Sequence, residues 1–313
     1  MGALPLELFL SPPVLALIGL CIGSFLNVVV HRLPPMMERQ WWAEVAGHLS
    51  DADAWRRVFA PREPSARPTP EHERTAQAIE QSIESLPALS VVRPGSRCPA
   101  CGHELRWFEN IPLLSWIVLK ARCSACGTRI SLRYPLVELA TAVLFGAVAW
   151  RFGAEPVTLA WCAFAATLLA LALIDWDTTL LPDALTLPLL WGGVIVAALG
   201  WTVPLTSSIW GAVAGYLALW SVYQLFKLTT GKEGMGHGDF KLLAALGAWL
   251  GWPMLVPIIL AASVLGAVVG IVMKFSGQLR EGRYVPFGPF LAGAGLAVML
   301  IGAPRVLDWL GWT

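Results

Sequence analysis

Val157–Ile174 reads VTLAWCAFAATLLALALI, without one charged residue, and Asp175 closes it. An apolar stretch of about 18 residues or more, free of charge, is long enough to cross the hydrocarbon of a bilayer as a helix. The run is flanked on either side by others of the same kind. Leu136–Trp150 precedes it. Ala184–Leu199, Ile209–Phe226, Phe240–Trp249, Met254–Met273 and Pro289–Ile301 follow, and Val14–Val30 stands alone near the start. Across the chain 56% of residues are apolar, 14% are charged, and the mean hydropathy is +0.63. A soluble domain lies nearer to half apolar and a quarter charged. The reading is an all-α, polytopic membrane bundle of about eight membrane segments, with the lipid bilayer as its solvent.

One segment is irregular. Phe240–Trp249 is too short to cross alone, so it either continues through Pro253 or is re-entrant. Gly251, Trp252 and Pro253 favour a turn, which keeps the count at eight. Met1–Pro13 lacks a basic segment and a small-residue cleavage site, so Val14–Val30 is expected to be a retained span.

Charge sets the orientation. With eight segments, Arg32, Arg39, Arg129 and Arg133 share a side with Lys227, Lys232, Lys241, Lys274, Arg280 and Arg283, while Arg151 and Arg305 lie opposite. Basic residues near span ends mark the cytoplasmic side. Both termini then lie outside the cytoplasm, and residues 34–133 form a cytoplasmic insertion. The expected organisation is a first span in 1–33, the insertion in 34–133 and a membrane-embedded core in 134–313. Within the insertion, Ala52–Ser90 is prolines followed by a polar, helix-compatible run from Glu71, and reads as a surface excursion. The net charge of +1 gives no reason to expect nucleic acid as a partner.

The insertion also carries Cys98-Pro-Ala-Cys101 and Cys123-Ser-Ala-Cys126, two Cys-x-x-Cys pairs separated by 21 residues, each followed by glycine. Cytoplasmic disulfides are rare. Four thiolates at this spacing suit tetrahedral Zn²⁺, and a closed set of four leaves no open position, so the zinc is structural. Cys21 and Cys162, inside spans, read as small buried hydrophobes.

Two carboxylates are hardest to dismiss. Asp175 ends one apolar run, and Asp239, in Gly236-His237-Gly238-Asp239, opens another. A carboxylate at the membrane boundary is costly unless solvated, paired or used. Two close together cannot both ionise easily, which leaves one acid and one base, the equipment of aspartic peptide hydrolysis. The blander readings stand beside this. Asp239 and Asp183 each precede an apolar helix and fit an N-cap, and Asp177 fits a solvated loop acid. Glu138 is either a site member or an interfacial acid paired with Arg133. A proton- or cation-coupled transporter would also use intramembrane acids. A non-catalytic assembly factor of a pilus or secretion machine would need neither aspartate. No His-Glu-x-x-His is present for a metalloprotease.

On these residues the chain resembles the bacterial type IV prepilin peptidases, bifunctional leader peptidase/N-methyltransferases of the Gly-x-Gly-Asp class of membrane aspartic proteases. The resemblance runs through Gly23-Ser24-Phe25-Leu26-Asn27-Val28, His31-Arg32-Leu33-Pro34, the cysteine pairs and Glu109-Asn110-Ile111-Pro112. It continues through Arg133-Tyr134-Pro135-Leu136-Val137-Glu138, Asp175–Asp183, Gly236–Lys241 and Pro286-Phe287-Gly288-Pro289-Phe290. It implies that Asp175 and Asp239 are the catalytic pair. It implies cleavage of the basic leader of prepilins and pseudopilins after glycine, at the cytoplasmic face of the bacterial inner membrane. It further implies methylation of the new N-terminal amine with S-adenosylmethionine as methyl donor. No Gly-rich strand–helix motif of the Rossmann type places that donor.

Overall fold

The computed structural model describes residues 6–59, 67–277 and 285–312. Arg280 and Arg283, two of the basic residues that set the expected orientation, and Met1–Pro5 lie outside the described residues. The chain divides into two compact units, His31–Leu105 and Met1–Val30 with Arg106–Thr313.

Thirteen α-helices are described. They begin with α1 (Leu6–Phe9), α2 (Pro12–Ser50), α3 (Ala52–Phe59), α4 (Pro70–Glu84) and α5 (Leu114–Val118). The apolar runs follow as α6 (Arg133–Phe152), α7 (Pro156–Thr178), α8 (Asp183–Ala198), α9 (Leu205–Thr230), α10 (His237–Leu250), α11 (Leu255–Phe275) and α12 (Gly288–Ile301). The short α13 (Ala303–Leu310) closes the series. Each of the eight apolar runs is thus a helix, and no strand occurs among the described residues.

Among the described residues five helices are long and apolar enough to cross a membrane: α2, α6, α7, α9 and the helix over Trp252–Phe275. A sixth is counted if α12 and α13, bent by 101° at their junction, form one broken span. Helix α8 is a shorter apolar helix. Helix α10 has 14 residues, about 21 Å of helix, and ends in the turn that Gly251-Trp252-Pro253 demanded; Gly251 has φ +83°.

In the larger unit α10 is the core. Nearly every residue from Asp239 to Leu250 is buried. A helix apolar on all sides needs partners on all sides. Small residues let them approach. A Cβ on Gly211 of α9 would fall 2.2 Å from the Gly247 carbonyl oxygen, and one on Gly247 would fall 2.1 Å from that of Gly211. The Ser208 hydroxyl donates to Ala248 O at 2.7 Å, and the Trp249 indole N–H donates to Leu189 O of α8 at 2.7 Å. Without water as a competing partner, close backbone packing and interhelical hydrogen bonds are what hold membrane helices together. The same device joins α2 to α6, where Gly19 and Gly23 abut Ala142, Thr141 and Glu138. Cys162 is buried as expected, but Cys21, between those two glycines in sequence, is exposed because the glycines take the packed face of α2.

The smaller unit is built along the second half of α2. That helix runs through Pro34 and Pro35 to Ser50, well past the span expected at Val14–Val30. Arg32 donates to Ser90 O and Pro94 O at 3.1 and 2.7 Å, and Arg39 donates to Pro87 O at 2.8 Å, pinning the returning chain. The polar run from Glu71 is α4, opened by Thr69 as N-cap with Pro70 behind it.

Candidate active site and metal centre

Asp175 stands in the last turn of α7, three residues before its end. The helix stops because Thr179 turns left-handed, φ +56°, with its N–H on Asp175 O at 2.8 Å. Leu180, Leu181 and Pro182 then carry the chain to α8. Asp239 stands in the first turn of α10, whose N-cap is Gly236. The N-cap reading of Asp239 is therefore replaced: the residue is the third in the helix, and its side chain is not the cap.

The two carboxyls converge through a small set of neighbours. Asp175 Oδ2 accepts the Gly288 N–H at 3.0 Å from the start of α12. A Cβ on Gly288 would lie 2.6 Å from that oxygen and 3.2 Å from Leu181 Cδ1. A Cβ on Gly238, beside Asp239, would lie 2.8 Å from Leu181 Cβ. Leu181 is thus wedged between the first turn of α10 and the residue that binds Asp175. Asp175 is 5% exposed and Asp239 8%. Asp239 Oδ1 is fully buried and meets no hydrogen-bond partner among the described residues. A buried polar oxygen left without a partner is costly and calls for a functional account.

The neighbouring acids are placed differently. Asp177 holds Arg133 in a two-pronged ion pair, at 3.0 and 2.6 Å. Asp183 holds Lys241 Nζ at 2.7 Å with both oxygens. Among the described residues, neither Asp175 nor Asp239 pairs with a cation. Three expectations change here. Asp177 belongs to the last turn of α7 and not to a loop. Asp183 is the first residue of α8 behind Pro182, not its N-cap, and it ties α8 to α10. Arg133 pairs with Asp177 rather than Glu138, whose carboxylate instead accepts the Leu113 N–H at 2.8 Å. His237 packs its ring on Tyr223 and Phe240 at 5.1 and 5.3 Å. Gly288 and Leu181 are the contributors that the aspartate pattern did not single out. Gly288 lies in the Pro-Phe-Gly-Pro segment, whose two prolines around one glycine were the available signal.

The two cysteine pairs form matching knuckles. Cys98 N–H donates to His103 O and Gly102 N–H to Cys98 O, both at 2.9 Å; Cys123 N–H donates to Thr128 O and Gly127 N–H to Cys123 O, both at 2.9 Å. Gly102 and Gly127 have φ +73° and +72°, the left-handed backbone that glycine takes without strain. The Sγ atoms of Cys98, Cys101, Cys123 and Cys126 lie within 4.8 Å of one another. Tetrahedral zinc with Zn–S of about 2.3 Å needs sulfurs roughly 3.8 Å apart, so small adjustments close this cluster on a metal ion.

Comparison with known proteins gives the family. Residues 17–152 match the model of the bacterial peptidase A24 N-terminal domain, and residues 162–271 match that of the type IV leader peptidase family. A protein of Stutzerimonas stutzeri named prepilin leader peptidase/N-methyltransferase is 47% identical over 311 residues, covering 98% of each chain. Proteins of the same name from Pseudomonas aeruginosa and Pseudomonas putida are 48% and 49% identical, covering 91% of this chain and 89% and 88% of theirs. No solved structure matches the chain significantly. With two family models matched over most of its length and relatives about half identical from end to end, the chain belongs to the type IV leader peptidase family.

Proposed function

We propose that the chain is an aspartic endopeptidase that removes the leader of type IV prepilins and pseudopilins after glycine, with Asp175 and Asp239 as its catalytic dyad, and then N-methylates the exposed residue. The family carries the activity: cleavage of prepilin leaders and N-methylation are those of its full-length relatives. The observation that carries the dyad is the contrast in partners. Asp177 and Asp183 are paired with Arg133 and Lys241, whereas the buried Asp175 and Asp239 pair with no cation among the described residues and Asp239 Oδ1 is unpartnered.

The chemistry follows from sharing one proton. The ionised member draws a proton from water as it attacks the scissile carbonyl, and the protonated member donates to the carbonyl oxygen or the departing amine. The proton belongs to the pair rather than to either residue. Gly288 N–H holds one oxygen of Asp175 and thereby its orientation. The apolar helix of a pilin lies in the bilayer beside the spans while its basic leader stays in the cytoplasm. S-adenosylmethionine supplies an electrophilic methyl group to the neutral amine that cleavage exposes.

The metal bound by Cys98, Cys101, Cys123 and Cys126 is Zn²⁺, in a structural role, since four thiolates leave no open position for chemistry. The protein resides in the bacterial inner membrane, with residues 34–133 and both aspartates toward the cytoplasm, as the basic residues near the spans direct. A purified sample incubated with a prepilin and read by intact mass tests both activities at once. Leader loss is expected without S-adenosylmethionine, and a further methyl mass with it. An unprocessed prepilin in both samples would reject the reading.

A further inference from the structure

Between the two cysteine pairs lies a segment that exposes more apolar side chain than a water-facing loop sustains. Trp107 and Phe108, in the 3₁₀ turn Trp107–Asn110, are 80% and 45% exposed. Leu114, Ile117 and Val118 of α5 are 59%, 63% and 74% exposed. At spacings of three and four residues, Leu114, Ile117 and Val118 form one stripe on α5. An apolar surface of this kind marks a contact with another phase or molecule.

Two observations say which. The first is depth. Leu113, immediately before α5, takes the unusual backbone φ +59°, and its N–H is held by Glu138 at 2.8 Å. Glu138 is the sixth residue of the membrane helix α6, about 7 Å along from its first residue. The stripe is therefore tied to the second turn of a helix long and apolar enough to cross a membrane, near the end where that helix begins. The second is charge. Arg106, Lys120 and Arg122 border the segment, and all three are exposed. Basic residues beside an apolar, aromatic face match an anionic membrane surface, and an interfacial helix buries such a face by about 5–10 Å.

We propose that Trp107–Val118 is a membrane-interface element. It inserts Leu114, Ile117 and Val118 among the lipids of the same leaflet that α6 enters, and it fastens the cysteine-bearing loop to the bilayer. Glu138 then has a structural purpose that neither the dyad nor the metal gives it: it fixes the depth of the element.

The test uses the full-length chain in nanodiscs of phosphatidylcholine and phosphatidylglycerol. A photoreactive benzoylphenylalanine replaces Ile117 in one variant, Val118 in a second, and Leu260, exposed on the membrane helix α11, in a third as reference. Ile117 and Val118 are exposed, so each substitution should leave the melting midpoint unchanged, and two positions guard against a local failure to fold. After irradiation, mass spectrometry should show lipid adducts at both positions, comparable to those at Leu260. Loss of lipid adducts at both positions while Leu260 retains them, or cross-links only to a second protein chain, would overturn the proposal.

Discussion

Gly288 tests the placement of Asp175 without touching a carboxylate. Its N–H is the hydrogen bond that orients Oδ2, and a Cβ there would sit 2.6 Å from the same oxygen. Gly288→Ala should therefore displace the carboxyl group. A hydrogen bond to a charged group is worth roughly 1.5–3 kcal/mol, so cleavage should slow about ten- to hundredfold with the protein still folded. A cleavage rate equal to wild type would show that Asp175 does not depend on this contact. The acid at Asp183 should behave in the opposite way. Its pair with Lys241 is largely solvent-exposed, and such pairs contribute about 0–1 kcal/mol. Asp183→Asn should lower the melting midpoint slightly and leave prepilin cleavage near wild type; loss of cleavage in a folded Asp183→Asn protein would move that residue into the dyad. At this scale the sequence identified which carboxylates are unusual but not their partners. Asp175 and Asp239 stood out because each borders an apolar run. Gly288 lies 113 residues from the aspartate it binds, and nothing local in the sequence announces such a contact.

Among the elements, α10 depends most on shape. Its contact with α9 is backbone against backbone at Gly211 and Gly247. Gly247→Ala forces the two helices apart, and overpacking of this kind costs about 1–3 kcal/mol or more. Gly192→Ala is the control, because its new Cβ would meet only Trp249 at 3.5 Å, an ordinary contact. A clear fall in melting midpoint for Gly247→Ala alone is expected; equal midpoints would contradict the tight α9–α10 packing. The apolar runs themselves were legible from hydropathy, since in a bilayer the side-chain pattern must be apolar wherever the chain is. Helix α2 was not legible past Val30. Prolines at 34 and 35 argue for a break, yet Met36–Ser50 contains enough strong helix formers to carry the helix on. Helix α10 announced its stop through Gly251 and Pro253, but not that it would be enclosed by its neighbours.

For the whole molecule, the cysteine cluster and the distribution of basic residues make separate claims. One zinc per chain is expected by elemental analysis, lost in a Cys98→Ser/Cys123→Ser double variant. A double variant with its zinc unchanged would remove the tetracysteine site. Accessibility labelling should reach residues 52–90 only from the cytoplasm and Thr202–Thr206 only from the opposite side; labelling of the former from the periplasm would reverse the orientation and deny the leader its access. The central claim is that Asp175 and Asp239 act as one catalytic unit. Prepilin processing by the Asp175→Asn and Asp239→Asn variants and the double variant, each shown to be folded and metal-loaded, tests it most directly. Groups that act as a unit give non-additive losses. Each single variant should abolish leader cleavage, with the double variant barely worse. Substantial cleavage by either folded single variant would contradict the dyad.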